Sequence, residues 1–248
     1  MKDIDTYGLI GYPLGHSFSR NYFNEKFDRE GINAQYVNFE VPEIGMLPRV
    51  LGDNTNLKGL NVTIPYKQSV IAFLDEIDEE AQQIGAVNTV KVGDNGVLKG
   101  FNTDVYGFVE SLKPLISGDK HSRALVLGTG GASKAVCFGL KQLDIEVTNV
   151  SRQGRPEVMT YGELTENIVN EHTVIVNTTP LGMYPKVSEC PLIPYDGIGD
   201  KHVCFDLIYN PSETRFMKLA AERGAKVSNG LKMLHLQAER AWQIWNEK

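Results

Sequence analysis

The chain has 248 residues, a length that suits one large domain or two domains of modest size. Hydrophobic residues make up 42% of it and the net charge is −6, which is ordinary for a soluble globular protein and argues against a nucleic-acid binder with its basic face. Residues 1–5 carry charges without an apolar core, and no apolar run reaches the length of a membrane span, so we expect neither a signal peptide nor a membrane partner.

Short apolar runs alternate with amphipathic stretches, which predicts an α/β fold. In the first part of the chain we predict, in order, a strand at 7–11, a helix at 19–30, a strand at 35–40, a short helix at 43–51, a strand at 57–64, the start of a helix at 69–73 and a hairpin of 86–92 with 96–101. In the second part we predict strands at 123–127, 146–150, 173–177, 202–206 and 224–227, and helices at 134–143 and 231–245.

Domain boundaries are predicted near residues 103 and 228, because the middle of the chain has the pattern of consecutive βαβ units. One domain then comprises residues 1–103 and 228–248, with the C-terminal helix returning to the N-terminal domain, and the other comprises residues 104–227. The three cysteines form no C-x-x-C pattern, which indicates reduced thiols in a cytoplasmic protein and no metal site.

A glycine-rich turn follows the predicted strand at 123–127 and opens the next helix. Gly128, Gly130 and Ser133 occupy the three positions of the G-x-G-x-x-G pattern. The first glycine permits a tight turn, the second lets backbone N–H groups approach a pyrophosphate, and the third position only has to be small. We interpret this turn as a dinucleotide-binding loop, and a plain glycine turn is the alternative.

The tip of the second strand of this unit distinguishes between the two nicotinamide dinucleotides. An NAD site usually has an acidic residue there, whereas this chain has Ser151-Arg152, with Arg155 close behind. A guanidinium binds a 2′-phosphate through two hydrogen bonds, so Arg152 favours NADP, although a solvated surface arginine is the alternative.

Polar residues also recur near the predicted strand ends of the N-terminal half. Ser17 and Ser19 offer two hydroxyl groups beside a predicted helix start, where helix capping is an equally simple role. Lys67 follows the strand that contains Asn61 and Thr63. A lysine that meets Asp104 could pass a proton to or from an alcohol oxygen, but spacing alone does not bring the two together.

Several blocks in this order resemble the shikimate dehydrogenase family, and together they span nearly the whole chain. The blocks are residues 11–19 (GYPLGHSFS), 59–67 (GLNVTIPYK), 85–89 (GAVNT), 102–104 (NTD), the glycine turn, 177–183 (NTTPLGM), 206–211 (DLIYNP) and the stretch 230–237. The resemblance implies an N-terminal α/β substrate-binding catalytic domain and a Rossmann-like NADP-binding domain. It also implies reversible reduction of 3-dehydroshikimate to shikimate by NADPH, a step of chorismate and aromatic amino acid biosynthesis.

The resemblance further implies roles for individual residues. It assigns Lys67 and Asp104 as the catalytic pair, and it assigns to the substrate Ser17, Ser19, Asn61, Thr63, Asn88, Tyr209 and Gln237, of which the two serines hold the carboxylate. It assigns to the cofactor Gly128, Thr129, Gly130, Gly131, Ala132, Ser151, Arg152, Leu207, Gly230 and Met233. The partner is then a small molecule, and we expect a monomer or a homodimer.

This chain departs from the family pattern at a few positions. Arg20 replaces the usual proline after the second serine, Lys232 replaces a usual glycine, and the crossover after Arg152 is short and contains Pro156. The alternatives are a paralogue that acts on quinate or uses NAD, and a non-catalytic sensor of nucleotide or shikimate-like ligands. Intact Lys67 and Asp104 argue against a sensor. A plain interaction module would not need so many buried polar groups.

Overall fold

The computed structural model describes residues 4–15 and 18–247, except for the side chains at positions 118 and 119. It has two compact units: Met1–Thr103 with Ala238–Lys248, and Asp104–Gln237. The sequence placed the second junction at residue 228, whereas the chain passes from one unit to the other at Ala238, inside the last helix. The predicted α/β class is confirmed, since each unit contains its own six-stranded sheet.

The first unit comprises six strands and three complete helices within its N-terminal segment. In chain order they are β1 (Asp5–Gly11), α1 (Phe18–Glu30), β2 (Ala34–Glu40), α2 (Leu47–Asp53), β3 (Leu57–Val62), β4 (Glu76–Ile77), α3 (Glu79–Ile84), β5 (Thr89–Val92) and β6 (Leu98–Phe101). The sheet order is β2-β1-β3-β5-β6-β4. Strand β1 pairs in parallel with β2 and β3, while β5 pairs antiparallel with β3 and β6.

Parallel pairing brings the chain segments after β1 and β3 to the same edge of the sheet. The Tyr12 amide donates to the Ile64 carbonyl at 3.1 Å, and the Thr63 amide donates to the Ile10 carbonyl at 3.0 Å. The predicted strand at 57–64 ends at Val62 because the chain then turns into Pro65, which has no N–H to donate to a strand ladder. The segment at 69–73 forms a 3₁₀ helix.

The second unit is a parallel sheet with helices between its strands. Its elements are α4 (Thr103–Leu112, whose first residue belongs to the first unit), β7 (Arg123–Leu127), α5 (Gly131–Gln142), β8 (Glu146–Ser151), β9 (Val158–Thr160), α6 (Glu166–Glu171), β10 (Val174–Asn177), β11 (Val203–Asp206), α7 (Arg215–Ala221), β12 (Lys226–Ser228) and α8 (Leu231–Asn246). The sheet order is β12-β11-β10-β7-β8-β9, with every strand pair parallel. Strand order reverses at β7, and such a reversal is where α/β sheets bind ligands.

The C-terminal helix returns to the first unit, as predicted. Trp245 of α8 lies 4.9 Å from Tyr7 and 5.5 Å from Phe23 between ring centroids, and its indole N–H donates to the Val90 carbonyl at 3.0 Å. A Cβ atom at Gly59 would lie 2.3 Å from Trp245 Nε1, so only glycine leaves room for the indole. Stacked and tilted aromatic pairs of this kind add to the free energy of burial.

The crossover after β8 is short, as the sequence indicates, and contains little helix. Strand β9 pairs in parallel with β8, and the helix that follows, α6, has six residues. Thr160 and Glu163 form a capping box between β9 and α6, which satisfies backbone N–H groups within this short connection. Across residues 4–15 and 18–247, no helix has the length and apolarity to cross a membrane.

The buried His202 makes the stability of the second unit depend on pH. The ring is fully buried, its Nδ1 accepts the Gly199 amide at 3.0 Å, and Nε2 lies 3.1 Å from the Val169 carbonyl. Burial lowers the pKa of His202 below its usual 6.5, because the imidazolium ion loses hydration. The unfolded chain therefore binds a proton that the folded chain resists.

We expect His202 to lower the free energy of unfolding as the pH falls below 6.5, by at most about 1.4 kcal/mol per pH unit. The contribution is complete above the unfolded pKa and disappears as the pH falls toward the folded one. Urea denaturation at pH 7.5, 6.5 and 5.5 of the wild type and of His202→Gln measures it. The gap between the two proteins must depend on pH; a constant gap contradicts the assignment.

Candidate functional site

A chain of buried hydrogen bonds joins predicted substrate residues in the first unit. Ser19, in the first turn of α1, hydrogen-bonds the Tyr36 hydroxyl, which donates in turn to Asn61 Oδ1 at 2.8 Å. Tyr36 is 1% exposed, and burial raises the pKa of its phenol well above the usual value, so the phenol stays neutral. Tyr36 was not predicted from the sequence, because an aromatic residue in a strand resembles ordinary core.

The same chain continues from β3 to β5 and on to the start of α4. Asn61 Nδ2 donates to the Thr89 hydroxyl at 3.2 Å, and that hydroxyl donates to Asn88 Oδ1 at 3.1 Å. Asn88 Oδ1 also accepts the Thr103 amide at 2.7 Å. An amide side chain held on several sides has a fixed orientation.

Thr63 and Lys67 lie in the turn that follows β3. Thr63 packs beside β1, where a Cβ atom at Gly11 would lie 2.5 Å from the Thr63 methyl carbon. The Lys67 carbonyl accepts the Val87 amide at 2.7 Å. This bond fixes the backbone of Lys67 beside Val87, the residue that precedes Asn88. The Lys67 residue as a whole is half-buried.

Two helices of the second unit approach closely at the residues predicted for substrate and cofactor. Asp104 lies in the first turn of α4 and is buried. A Cβ atom at Gly107, one turn further on, would lie 2.6 Å from the Met233 carbonyl and 3.2 Å from Gln237 Cβ of α8. Glycine at position 107 therefore brings α4 against the part of α8 that contains Met233 and Gln237. The role of Gly107 was not predicted from the sequence.

The loop after β11 contacts the start of α8. Leu207 and Tyr209, predicted for cofactor and substrate, are on this loop, and Tyr209 is 37% exposed. The Gly230 amide donates to the Ile208 carbonyl at 3.1 Å, and a Cβ atom at Gly230 would lie 2.0 Å from the Leu207 carbonyl oxygen. Only glycine permits this approach, which places two of the predicted cofactor contacts, Leu207 and Gly230, side by side.

The glycine turn has the geometry of a dinucleotide-binding loop. Gly128 has a φ of +111°, which glycine adopts without strain, and the Ser133 hydroxyl closes the turn by donating to the Gly128 carbonyl at 2.8 Å. A Cβ atom at Gly130 would meet nothing within 4 Å, so the backbone is open for close approach there. The 12-residue helix α5 starts at Gly131, and no side chain caps it. Its first N–H groups therefore suit a phosphate.

Basic residues lie at the tip of β8, as predicted. Arg152 is exposed directly after the strand, and the Arg155 guanidinium donates to the Thr129 hydroxyl of the glycine turn at 2.8 Å. The Ser151 hydroxyl donates to the Gln153 carbonyl at 2.6 Å and so shapes the strand tip. An open glycine turn followed by a guanidinium instead of a carboxylate fits a dinucleotide with a 2′-phosphate, that is, NADP.

Two parts of the predicted site are not brought together by these contacts. Ser17 lies outside the described residues. Lys67 belongs to the first unit and Asp104 to the second, so their pairing stays a prediction. In the described parts of the chain, no three His, Cys, Asp or Glu side chains are grouped to hold a metal ion.

Comparison with known proteins gives consistent results over nearly the whole chain. Residues 9–90 match the shikimate dehydrogenase substrate binding domain family. A shikimate dehydrogenase (NADP(+)) of Caldanaerobacter subterraneus subsp. tengcongensis is 40% identical over 97% of this chain and 91% of its own length. Shikimate 5-dehydrogenase of Thermus thermophilus, solved with NADP(H) and shikimate, has a TM-score of 0.84 and 33% identity, covering 98% of this chain and 93% of that one.

A related enzyme with a different substrate also shares the fold. Quinate dehydrogenase from Corynebacterium glutamicum, solved with NAD, has a TM-score of 0.87, with coverage of 98% of this chain and 93% of that one. Its sequence identity of 27% is lower than that of the shikimate dehydrogenases above.

Replacing Tyr36 with phenylalanine tests the buried hydrogen-bond chain. Tyr36→Phe keeps the ring but leaves Asn61 Oδ1 without the donor that it has at 2.8 Å. We expect the free energy of unfolding to fall by about 1–3 kcal/mol, since a buried acceptor loses its partner. Chemical denaturation measures the change, and Tyr12→Phe, at a position 47% exposed, is the control with a change below about 0.5 kcal/mol. Equal effects of the two substitutions would contradict a structural role for the Tyr36 hydroxyl.

Proposed function

Because the chain belongs to the shikimate dehydrogenase family, we propose that it catalyses the reversible, NADP-dependent reduction of 3-dehydroshikimate to shikimate. This reaction serves chorismate and aromatic amino acid biosynthesis. One observation carries the proposal: residues assigned to the substrate by resemblance share one buried hydrogen-bond chain from Ser19 through Asn61 to Asn88. Such preorganised amides and hydroxyls suit a polyhydroxylated ring, because each ligand hydroxyl needs a matched donor and acceptor.

We assign substrate binding and catalysis to the first unit and dinucleotide binding to the second. Ser17 and Ser19 hold the carboxylate, and Asn61, Thr63 and Asn88 bind ring hydroxyls, together with Tyr209 and Gln237. On the cofactor side, Gly128, Thr129, Gly130, Gly131 and Ala132 bind the pyrophosphate. Ser151 and Arg152 bind the 2′-phosphate end, and Leu207, Gly230 and Met233 contact the nicotinamide end.

The proton chemistry is assigned to Lys67 and Asp104. NADP, when bound, accepts or supplies the hydride. The Lys67 ammonium donates a proton to the oxygen of the substrate ketone in the reductive direction, and the neutral Lys67 amine takes a proton from the alcohol in the oxidative direction. Its positive charge also stabilises the negative charge that develops on that oxygen, while the Asp104 carboxylate orients the ammonium group.

A second candidate is quinate oxidation with NAD, which the similarity to the Corynebacterium glutamicum enzyme favours. Arg152, which stands where an NAD site has an acidic residue, favours NADP and therefore the first candidate. We further infer a cytoplasmic enzyme, since Cys137, Cys190 and Cys204 are free thiols. The expected monomer or homodimer stays a prediction.

Cofactor preference tests the proposed function directly. Absorbance of reduced nicotinamide is followed with shikimate and either NADP or NAD, and we expect turnover with a higher kcat/KM for NADP. Arg152→Ala should raise the KM for NADP by about tenfold or more and leave the KM for NAD within about twofold, because only NADP loses a charged hydrogen bond. Arg123→Ala is the control, because it removes a surface arginine at the start of β7, at the end of that strand away from the glycine turn. Absence of shikimate-dependent turnover would refute the function, and a faster reaction with quinate and NAD would favour the second candidate.

Replacement of Lys67 tests the assigned proton donor. In Lys67→Ala we expect kcat to fall by about 100-fold or more, since general acid–base catalysis contributes on that scale. Shikimate should still bind, weakened by about tenfold, because the polar residues of β3 and β5 remain. Calorimetric titration with shikimate in the presence of NADP separates binding from turnover. Lys58→Ala, which removes a lysine 3.8 Å from Asp94 at the surface of the same unit, should retain wild-type kcat. Wild-type turnover in Lys67→Ala would reject the role.

A further inference from the structure

A fully buried carboxylate lies at the carboxyl end of β11, apart from the assigned catalytic residues. Asp206 has no exposed surface, and both of its oxygens accept hydrogen bonds. Oδ2 accepts the Thr214 hydroxyl at 2.6 Å, and Oδ1 accepts the Ile208 amide and Asn177 Nδ2, each at 3.0 Å. Three donors around one carboxylate are the arrangement that an ionised acid requires when it is buried.

The carboxylate fixes the loop after β10 through Asn177. Because Asn177 Nδ2 donates to Asp206, its Oδ1 faces the opposite way, where it accepts the Thr179 amide at 3.0 Å and the Thr179 hydroxyl at 2.7 Å. The Thr178 amide, one residue earlier, donates to the Leu127 carbonyl at the end of β7, directly before the glycine turn. The orientation of a single amide therefore links Asp206 to the backbone beside the dinucleotide loop.

The carboxylate also fixes the loop after β11. Its bond to the Ile208 amide holds the peptide that joins Leu207 to Ile208, and the Ile208 carbonyl accepts the Gly230 amide at 3.1 Å. Gly230 has room for no side chain against Leu207. Leu207 and Gly230 are both assigned to the nicotinamide end of the cofactor, so the geometry of that end depends on a group that does not touch the cofactor.

We propose that Asp206 is a positioning residue whose ionised carboxylate aligns the Leu207–Tyr209 backbone at the nicotinamide end of the NADP site and the Thr178–Leu181 backbone beside the glycine turn. This inference rests on the proposed function and goes beyond it by adding a residue that acts on hydride transfer through its neighbours. Small displacements of the nicotinamide ring reduce the rate of hydride transfer without weakening binding at the distant phosphate end of the cofactor.

The charge state of Asp206 varies within an accessible pH range. Burial raises the pKa of Asp206 to about 6, while the bonds from Thr214, Ile208 and Asn177 act in the opposite direction. Tyr195, Cys190 and Cys204 are titratable groups in the same part of the second unit. Burial is the main cause that raises the pKa of Tyr195, and the charge of Asp206 adds to it. Burial raises the pKa of Cys204 to about 12, so that thiol stays neutral. Protonation of Asp206 places a hydrogen on one carboxylate oxygen, which then competes with the donors that this oxygen accepts in the ionised state.

The direction in which kcat changes with pH follows from the charge of Asp206. Above about pH 6 the carboxylate is ionised and all three donors are satisfied. Below that pH the acid is neutral, so we expect kcat to decrease toward an acid plateau while the KM for NADPH changes little. Asparagine at this position resembles the neutral acid, since it keeps the shape and one acceptor oxygen.

The test compares Asp206→Asn with the wild type by NADPH consumption with saturating 3-dehydroshikimate from pH 5 to 8. Rates are expressed per NADP-binding site, counted by calorimetric titration, so that loss of folded protein does not count as loss of kcat. In the variant we expect kcat at pH 8 to be about tenfold lower, the KM for NADPH to stay within about twofold, and the acid limb near pH 6 to disappear. Asp196→Asn, at an exposed aspartate that pairs with Arg223, is the matched control and keeps the wild-type profile.

A second pair of variants answers the question if Asp206→Asn fails to fold. Thr214→Val removes the hydroxyl that lowers the pKa of Asp206, so the acid limb should shift to higher pH, whereas Thr214→Ser keeps the limb in place. A wild-type kcat in Asp206→Asn, an acid limb that persists in that variant, or a limb that Thr214→Val leaves unmoved would each overturn the proposal. If the wild type itself does not turn over, the proposed function fails instead.

Discussion

Buried polar groups that must find hydrogen-bond partners organise the functional end of each unit. In the first unit, the neutral Tyr36 hydroxyl connects Ser19 to Asn61, so a helix start and a strand end hold each other in place. In the second unit, the Asp206 carboxylate does the same for two loops. Because an unpaired polar group in a protein interior costs about 1–3 kcal/mol, whereas a hydrogen bond contributes about 0.5–1.5 kcal/mol, these networks leave few alternative arrangements.

Glycine residues set the distances between elements that these networks then orient. Gly107 brings α4 against α8, Gly230 brings the start of α8 against Leu207, and Gly59 admits the Trp245 indole. At each of these positions a Cβ atom would collide with a neighbouring element, so glycine is required by close packing and not by a turn conformation. The polar networks and the close approaches therefore act together: one fixes orientation, the other fixes distance.

Much of the fold could be predicted from the sequence. The apolar runs at 123–127, 173–177 and 202–206 correspond to β7, β10 and β11, because strands buried on both faces read as continuous hydrophobic stretches. The short α3 and the two-residue β4 were not predicted, since elements of this length have too few residues to show a period. The passage between units inside α8 was not predicted either, because a continuous helix gives no local signal of a boundary.

The candidate site was predictable in part. The glycine turn and Arg152 lie where their spacing implied, because local chain geometry determines both. Tyr36 and Gly107 could not be identified, since their roles arise from contacts with residues distant in sequence. The roles of Lys67 and Asp104 remain predictions based on resemblance.

The path of α8 has a consequence for how the protein emerges from the ribosome. The second unit is one uninterrupted stretch, so its sheet can assemble during translation. The first unit is synthesised first but lacks Trp242 and Trp245 until the second unit has been made, and both rings pack on Tyr7. The nascent N-terminal segment therefore exposes an incomplete aromatic face until α8 has been made.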